Sequence, residues 1–331
     1  MGFFGWIFKR VKKPNFSNSL IYDATNSRVE LNSFYVNKLE CGLTPGEIIL
    51  LDWTGKTGRN YNFPGYFEYN LGIDAKSVQE KLFSDGFFFS EKTLQPLKVS
   101  ELKEILKENG LPVTGKKVEL IDRIGKNLNL DSLNIPLSLR LSNKGAKIVL
   151  ANDGYIKAYY DKYFDMENYH IFKNGLPFKG SYNDIKWAFL NDNIIRHTTE
   201  GDFGLLRNQR FAQYQQLVDE NKIANAFSYI LEVFILDVSG LGNGYYYSEP
   251  PRPDYTDVMV VPRILDMIQS DVKILTTEEF DVSFDVAVRR FSPLMKKSFL
   301  SEKDLGFIRN NISTATKEEF DEYLKKFSKY K

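Results

Sequence analysis

The chain is poor in the residues that cross-link, ligate metal or enter lipid. It holds one cysteine, Cys41, in 331 residues. No disulfide can form within it, and a reducing, cytoplasmic setting is expected. Its two histidines, His170 and His197, have no cysteine or second histidine at ligand spacing. That leaves no zinc signature, and no metal or other cofactor is expected. The apolar run at the start of the chain is far shorter than the ~20 residues a membrane-spanning helix needs. Charge of neither sign is in excess, with 44 basic residues against 43 acidic ones. Any argument for a polyanionic partner must therefore be local. Hydrophobic residues, at 43%, suffice for packed cores and exclude a disordered chain. The length accommodates two or three domains.

The opening stretch, MGFFGWIFKRVKK, carries Lys9, Arg10, Lys12 and Lys13 after its apolar part. A secretory signal has its charges before the apolar core. Trp6 stands where a myristoylation signal needs Ser or Thr. Two readings of residues 1–13 stay open. One is an arm that packs on the fold or frays. The other is a membrane contact, with Phe3, Phe4, Trp6 and Phe8 resting in an anionic surface.

Further on, EIILLDW (47–53) reads as a short buried strand or helix, and its length decides neither. TGKTGRNYNFPGYF (54–67) is dense in turn residues. Residues 1–63 are thus read as an arm plus a short β or loop segment. DAKSVQEKLFSDG (74–86) predicts a helix capped by Asp74 and ended by Gly86. Helices follow at 99–109 and 114–127. LSLRLSNKGAKIVLAND (137–153) reads as strand, turn and helix, with an aromatic helical run to 164, which together give a unit over 64–165. NGLPFKGS (174–181) breaks the pattern. Helices over 182–192, 203–221, 223–239, 261–270, 277–291, 301–311 and 316–328 then make a helical domain over 181–331. Pro262 suits a first helical turn, and GLGNGYYYSEPPRPDY (240–255) reads as a linker. The fold class is mainly α with a few short strands (α+β).

Residues 203–239 resemble one tetratricopeptide-type hairpin. Tyr214, Leu217, Ala226, Ile230 and Val233 fall where that repeat packs, and Asn221 falls at its turn. Arg210 stands where the repeat has a bulky residue, and neither a closing proline nor a second copy is found. An ordinary antiparallel hairpin fits equally well.

The stretch with the strongest functional content is LKVSELKEILKENGLPVTGKKVELIDRI (97–124). Leu102, Ile105 and Leu106 share a helix face by their i, i+3, i+4 spacing. Lys103 and Lys107 flank it on one side, and Glu101, Glu104 and Glu108 on the other. Gly110 ends the helix, Leu111 and Val113 extend away from it, and Thr114 can cap the next. Val118, Leu120, Ile121 and Ile124 make an apolar arc. Lys116 and Arg123, two turns apart, share the opposite face. Lysine at a helix start opposes the positive end of the helix dipole, so a negative partner is expected there.

Through LKVSELKEIL, the Gly110–Leu111 pair and TGKKVELIDRI, residues 95–127 resemble the SAP domain, a helix–extended–helix module that binds double-stranded DNA, often AT-rich. The whole chain resembles SAP-containing bacterial proteins. The resemblance implies that DNA meets Thr114, Gly115, Lys116 and Lys117, with Arg123, Lys103 and Lys107 as further contacts. Elementary chemistry agrees. Free amides at a helix start bind phosphate, glycine lets backbone approach a duplex, and lysines release counterions on meeting phosphates.

No catalytic constellation competes with this. Gly55-Lys56-Thr57 lacks the earlier glycine of a P-loop, since Leu50 stands there, and a turn-rich stretch follows it. Glu101-Leu-Lys and Glu220-Asn-Lys match an acidic-x-Lys fragment of some nucleases but lie in helical patterns. A non-enzymatic DNA-binding protein is expected, its C-terminal half recruiting a protein partner or self-associating. The alternatives are an adaptor whose SAP-like module docks protein, and a nucleic-acid enzyme tethered by that module.

Overall fold

A computed structural model describes residues 33–59, 62–135, 137–242 and 258–330. The reading of residues 1–13 and most of the linker reading at 240–255 lie outside them. The chain divides into two compact units, Met1–Tyr182 and Asn183–Lys331. It is mainly helical with one two-stranded antiparallel sheet.

The first unit runs α1 (Ser33–Val36), α2 (Pro45–Thr57), α3 (Tyr66–Tyr69), α4 (Ala75–Ser84), β1 (Phe88–Lys92), α5 (Val99–Glu108), α6 (Lys117–Asn127), β2 (Leu137–Leu141), α7 (Asn143–Ala151), α8 (Asp153–Tyr160) and α9 (Met166–Gly175). EIILLDW settles as helix, so the short β or loop segment expected before residue 63 is corrected. Local signals explain it. Thr44 caps α2 by accepting from the Glu47 amide, while Glu47 accepts from the Thr44 amide at 2.8 Å. Pro45 fills the first turn, and Gly58 ends the helix at φ 68°. Ile48, Ile49, Leu50 and Leu51 are all fully buried. A helix enclosed on every side loses its amphipathic period, so the run alone could not separate helix from strand.

Helix α4 confirms its caps, with Asp74 accepting from Lys76 and Gly86 following at φ 78°. Gln79 on α4 donates to the Thr54 hydroxyl on α2 at 2.7 Å in a buried contact. The strands pair with Phe88 opposite Leu141 and Lys92 opposite Leu137. Helices α5 and α6 therefore occupy the connection between two paired strands. Lys92 holds the return of that connection by donating to the carbonyls of Asp131 and Leu133 at 2.7 and 2.9 Å.

The second unit is helical among its described residues. It runs α10 (Tyr182–Glu200), α11 (Phe203–Asp219), α12 (Ile223–Val238), α13 (Pro262–Val272), α14 (Thr277–Phe291), α15 (Glu302–Asn311) and α16 (Lys317–Leu324). Helices α11 and α12 form the expected antiparallel hairpin, turning at Asn221 with φ 57°. Every α12 residue from Ala226 to Val238 is buried except Tyr229. Helices α11, α13 and α14 all pack on it. Arg210, the misfit in the tetratricopeptide pattern, pairs with Glu232 of α12 at 2.8 Å. An ion pair here replaces the apolar contact expected of such a repeat.

Candidate nucleic-acid interface

The two-helix module has a core of its own. Leu102 and Leu106 of α5 and Leu120 and Ile124 of α6 are fully buried, closed by Leu94, Leu97 and Ile135. Val118, expected in this arc, is 76% exposed. At ~100° per residue it lies about 200° around α6 from Leu120, on the far side. Lys117 and Arg123 instead lie about 60° either side of Leu120, flanking the core. Arg123 therefore does not point opposite the apolar arc. Its guanidinium donates to the Pro112 carbonyl and to that of Thr114, 2.9 Å away, and so fastens the extended connector. The Lys117 ammonium donates to the Gln95 carbonyl at 2.7 Å.

That last bond fixes the geometry of the site. Gln95 lies just before α5, so the starts of α5 and α6 sit at the same end of the module. The two starts are built alike. Lys98 and Lys116 are the N-caps, both extended, at φ −73°, ψ 160° and φ −74°, ψ 160°. Glu101 accepts from the Lys98 amide, and Glu119 accepts from the Lys116 amide at 3.0 Å. Thr114 is not the cap, because the first helical turn begins later, at Lys117. Gly115 has φ 130°, and a Cβ there would fall 2.5 Å from Glu119 Oε2. The glycine thus gives the capping carboxylate room, which is a requirement internal to the module.

The amide expected to receive phosphate at Lys116 is therefore already bonded to a carboxylate. The ammonium groups remain. Lys98, Lys103, Lys107 and Lys116 are exposed, and none enters an ion pair among the described residues. Lys126 is paired with Asp122 at 2.7 Å. Residues 94–128 carry seven cationic side chains against five acidic ones, a modest positive excess. The sequence reading missed Lys98. Its signal was Glu101 three residues on, the same interval that separates Lys116 from Glu119.

The neighbouring features do not enlarge the site. Lys144 stands in the first turn of α7, donates to the Asp85 carbonyl at 2.7 Å and lies 4.1 Å from the Phe87 ring centroid. Gly55-Lys56-Thr57 forms the last turn of α2, where Lys56 pairs with Asp52 at 2.6 Å. Lys222 pairs with Glu220 at 2.7 Å, so that acidic-x-Lys fragment closes on itself. No group of three or more His, Cys, Asp or Glu among the described residues could hold a metal ion. No helix there is long and apolar enough to cross a membrane.

The sequence model of the SAP domain family matches residues 94–128. The chain thus carries a SAP domain over α5 and α6, and a SAP domain points to nucleic-acid binding. No curated protein and no solved structure matched the chain.

Proposed function

We propose that this protein binds double-stranded DNA in the cytoplasm through the end of the SAP domain where α5 and α6 begin, and performs no reaction on it. The observation that carries this reading is that each of the two helix starts presents an exposed, unpaired lysine, Lys98 and Lys116, within a SAP domain. Thr114, Gly115 and Lys117 border that end. Lys103 and Lys107 extend it along α5, and Arg123 holds the connector behind it. The charge excess is small, so affinity is modest and falls with salt. About three phosphate contacts give a log–log slope near −3, at ~0.9 per contact. The second unit serves for association with a protein partner or with a second copy of the chain.

The test is a duplex titration at low salt with the Lys98→Glu, Lys116→Glu double variant. Both side chains are exposed and unpaired, so the fold survives, which circular dichroism checks. Binding should fall at least tenfold, and equal affinity of variant and wild type overturns the reading. One observation favours a second reading. The carboxylates of Glu101 and Glu119 already occupy both helix starts, and such a surface also suits a protein partner. Indifference to DNA, with a stable partner held by the second unit, is the result that reading expects.

A further inference from the structure

The first unit holds a cavity of about 210 Å³ away from the two-helix module. Its walls come from the loop after α1, the junction of α7 and α8, and one face of α9. On α9, His170, Lys173 and Asn174 have i, i+3, i+4 spacing and so share the face that lines it. Tyr155 of α8 hydrogen-bonds His170 Nδ1 at 2.7 Å, and the Asn174 amide lies 3.1 Å from Nε2. That amide is also 3.3 Å from Nδ1, so it sits beside the ring between the two nitrogens, while the Tyr155 hydroxyl fixes Nδ1. Burial, and then the Lys173 ammonium, hold its pKa below 6.5, while Glu40 opposes them. The ring is neutral at physiological pH and adds no charge to the cavity.

Two charges remain, of opposite sign and on different elements. Lys173 lies on α9, its nitrogen 5.0 Å from the Tyr155 ring centroid. Glu40 lies on the loop and is exposed. Neither enters an ion pair among the described residues, although both line the one cavity. A simple anion would answer Lys173 and meet Glu40 as a like charge, and a simple cation would do the reverse. The volume lies below the ~300–1,000 Å³ of drug-sized sites. We propose that this cavity binds a small zwitterion of the α-amino-acid kind, its carboxylate at Lys173 and its ammonium at Glu40. The neutral amide of Asn174 lines the same cavity and can hydrogen-bond the carboxylate.

The chain has two histidines, so the imidazole proton resonances of the full-length protein report on the site with little overlap. Substitution His170→Asn identifies the relevant signal. L-Alanine and L-leucine are the probes. Propionate and ethylamine, which are alanine without its ammonium and without its carboxylate, are the controls. A saturable shift of the His170 signal is expected with at least one amino acid, and binding of both controls at least tenfold weaker. Lys173→Met and Glu40→Gln should each weaken amino-acid binding at least tenfold, while Lys173→Arg retains it. No saturable shift with either amino acid overturns the proposal. Propionate or ethylamine binding as well as alanine, or Lys173→Met and Glu40→Gln variants binding like wild type, overturns it equally.

Discussion

Helices α6 and α12 both carry charge but dispose of it in opposite ways. On α12, Glu232 and Asp237 are 2% and 0% exposed. Arg207 meets both oxygens of Asp237 at 2.8 Å each. Arg210 meets Glu232 at 2.8 Å, and Arg290 stands 3.7 Å from its other oxygen, beyond hydrogen-bond reach. Arg290 also donates to Ser228 at 3.2 Å and lies over the Tyr229 ring at 4.1 Å. These pairs tie α11 and α14 to α12 at fixed heights. At the start of α6, by contrast, the carboxylate bonds a backbone amide and the lysine ammonium goes unanswered. Charge answered inside the molecule sets helix register, whereas charge left outside is available to a partner. On this comparison the unanswered cations lie in the small module and the answered, buried charges in the second unit.

The largest expected effect would break the α12 side of that contrast. Asp237→Ala leaves Arg207, largely enclosed at 15% side-chain exposure, without its partner. Breaking such a pair costs about 3–5 kcal/mol. Chemical denaturation of the variant should show that loss in the second unit with duplex affinity unchanged, and a parallel loss of DNA binding would mean the two regions are not independent. The double change Arg207→Met, Asp237→Leu should regain most of the stability.

A smaller effect sharpens the α6 side. Glutamine can replace glutamate in a capping box, so Glu119→Gln should preserve the helix start while removing a negative charge beside Lys116. Duplex affinity should rise by a few-fold in a fluorescence titration. An unchanged affinity would place the phosphates away from this end of the module.

The smallest effect concerns a half-buried group between these extremes. His170 titrates below its ordinary 6.5, so the folded chain binds fewer protons there than the unfolded one. Its contribution to stability is full above 6.5 and is lost as pH falls through the lowered value. Thermal melts between pH 7.5 and 5 should show a decline that His170→Asn flattens. Equal declines in both proteins would assign the acid sensitivity elsewhere.

Much of this was legible beforehand, and the gaps have physical causes. Capping and turn residues Asp74, Gly86 and Pro262 placed α4 and α13 within about two residues of their ends, and the helical pattern did the same for α14 and α15, whereas α16 stops at Leu324, four residues before the expected 328. Helix α2 was ambiguous because Ile48, Ile49, Leu50 and Leu51 put apolar, fully buried side chains around one whole turn. The module was recognisable from its motif, but the roles of its cations were not. A three-residue error in the start of α6 moved Lys116 off the helix, and long side chains choose acceptors in space. Lys117 reaches back to Gln95 and Arg123 to Thr114, contacts separated by 22 and 9 residues. The arginine pairs of the second unit join residues 30 and 22 apart on the two arms of the α11–α12 hairpin and left no local period to read.

The pairing of Lys92 with Leu137 brings the two ends of the SAP segment to adjacent strands, ~4.8 Å apart. A span so closed is a detachable cassette. Exchanging residues 93–136 for an Asn-Gly hairpin turn would rejoin β1 to β2 and leave the remainder of the first unit to fold around α2. The excised piece would keep the buried leucines and isoleucines that form its own interior.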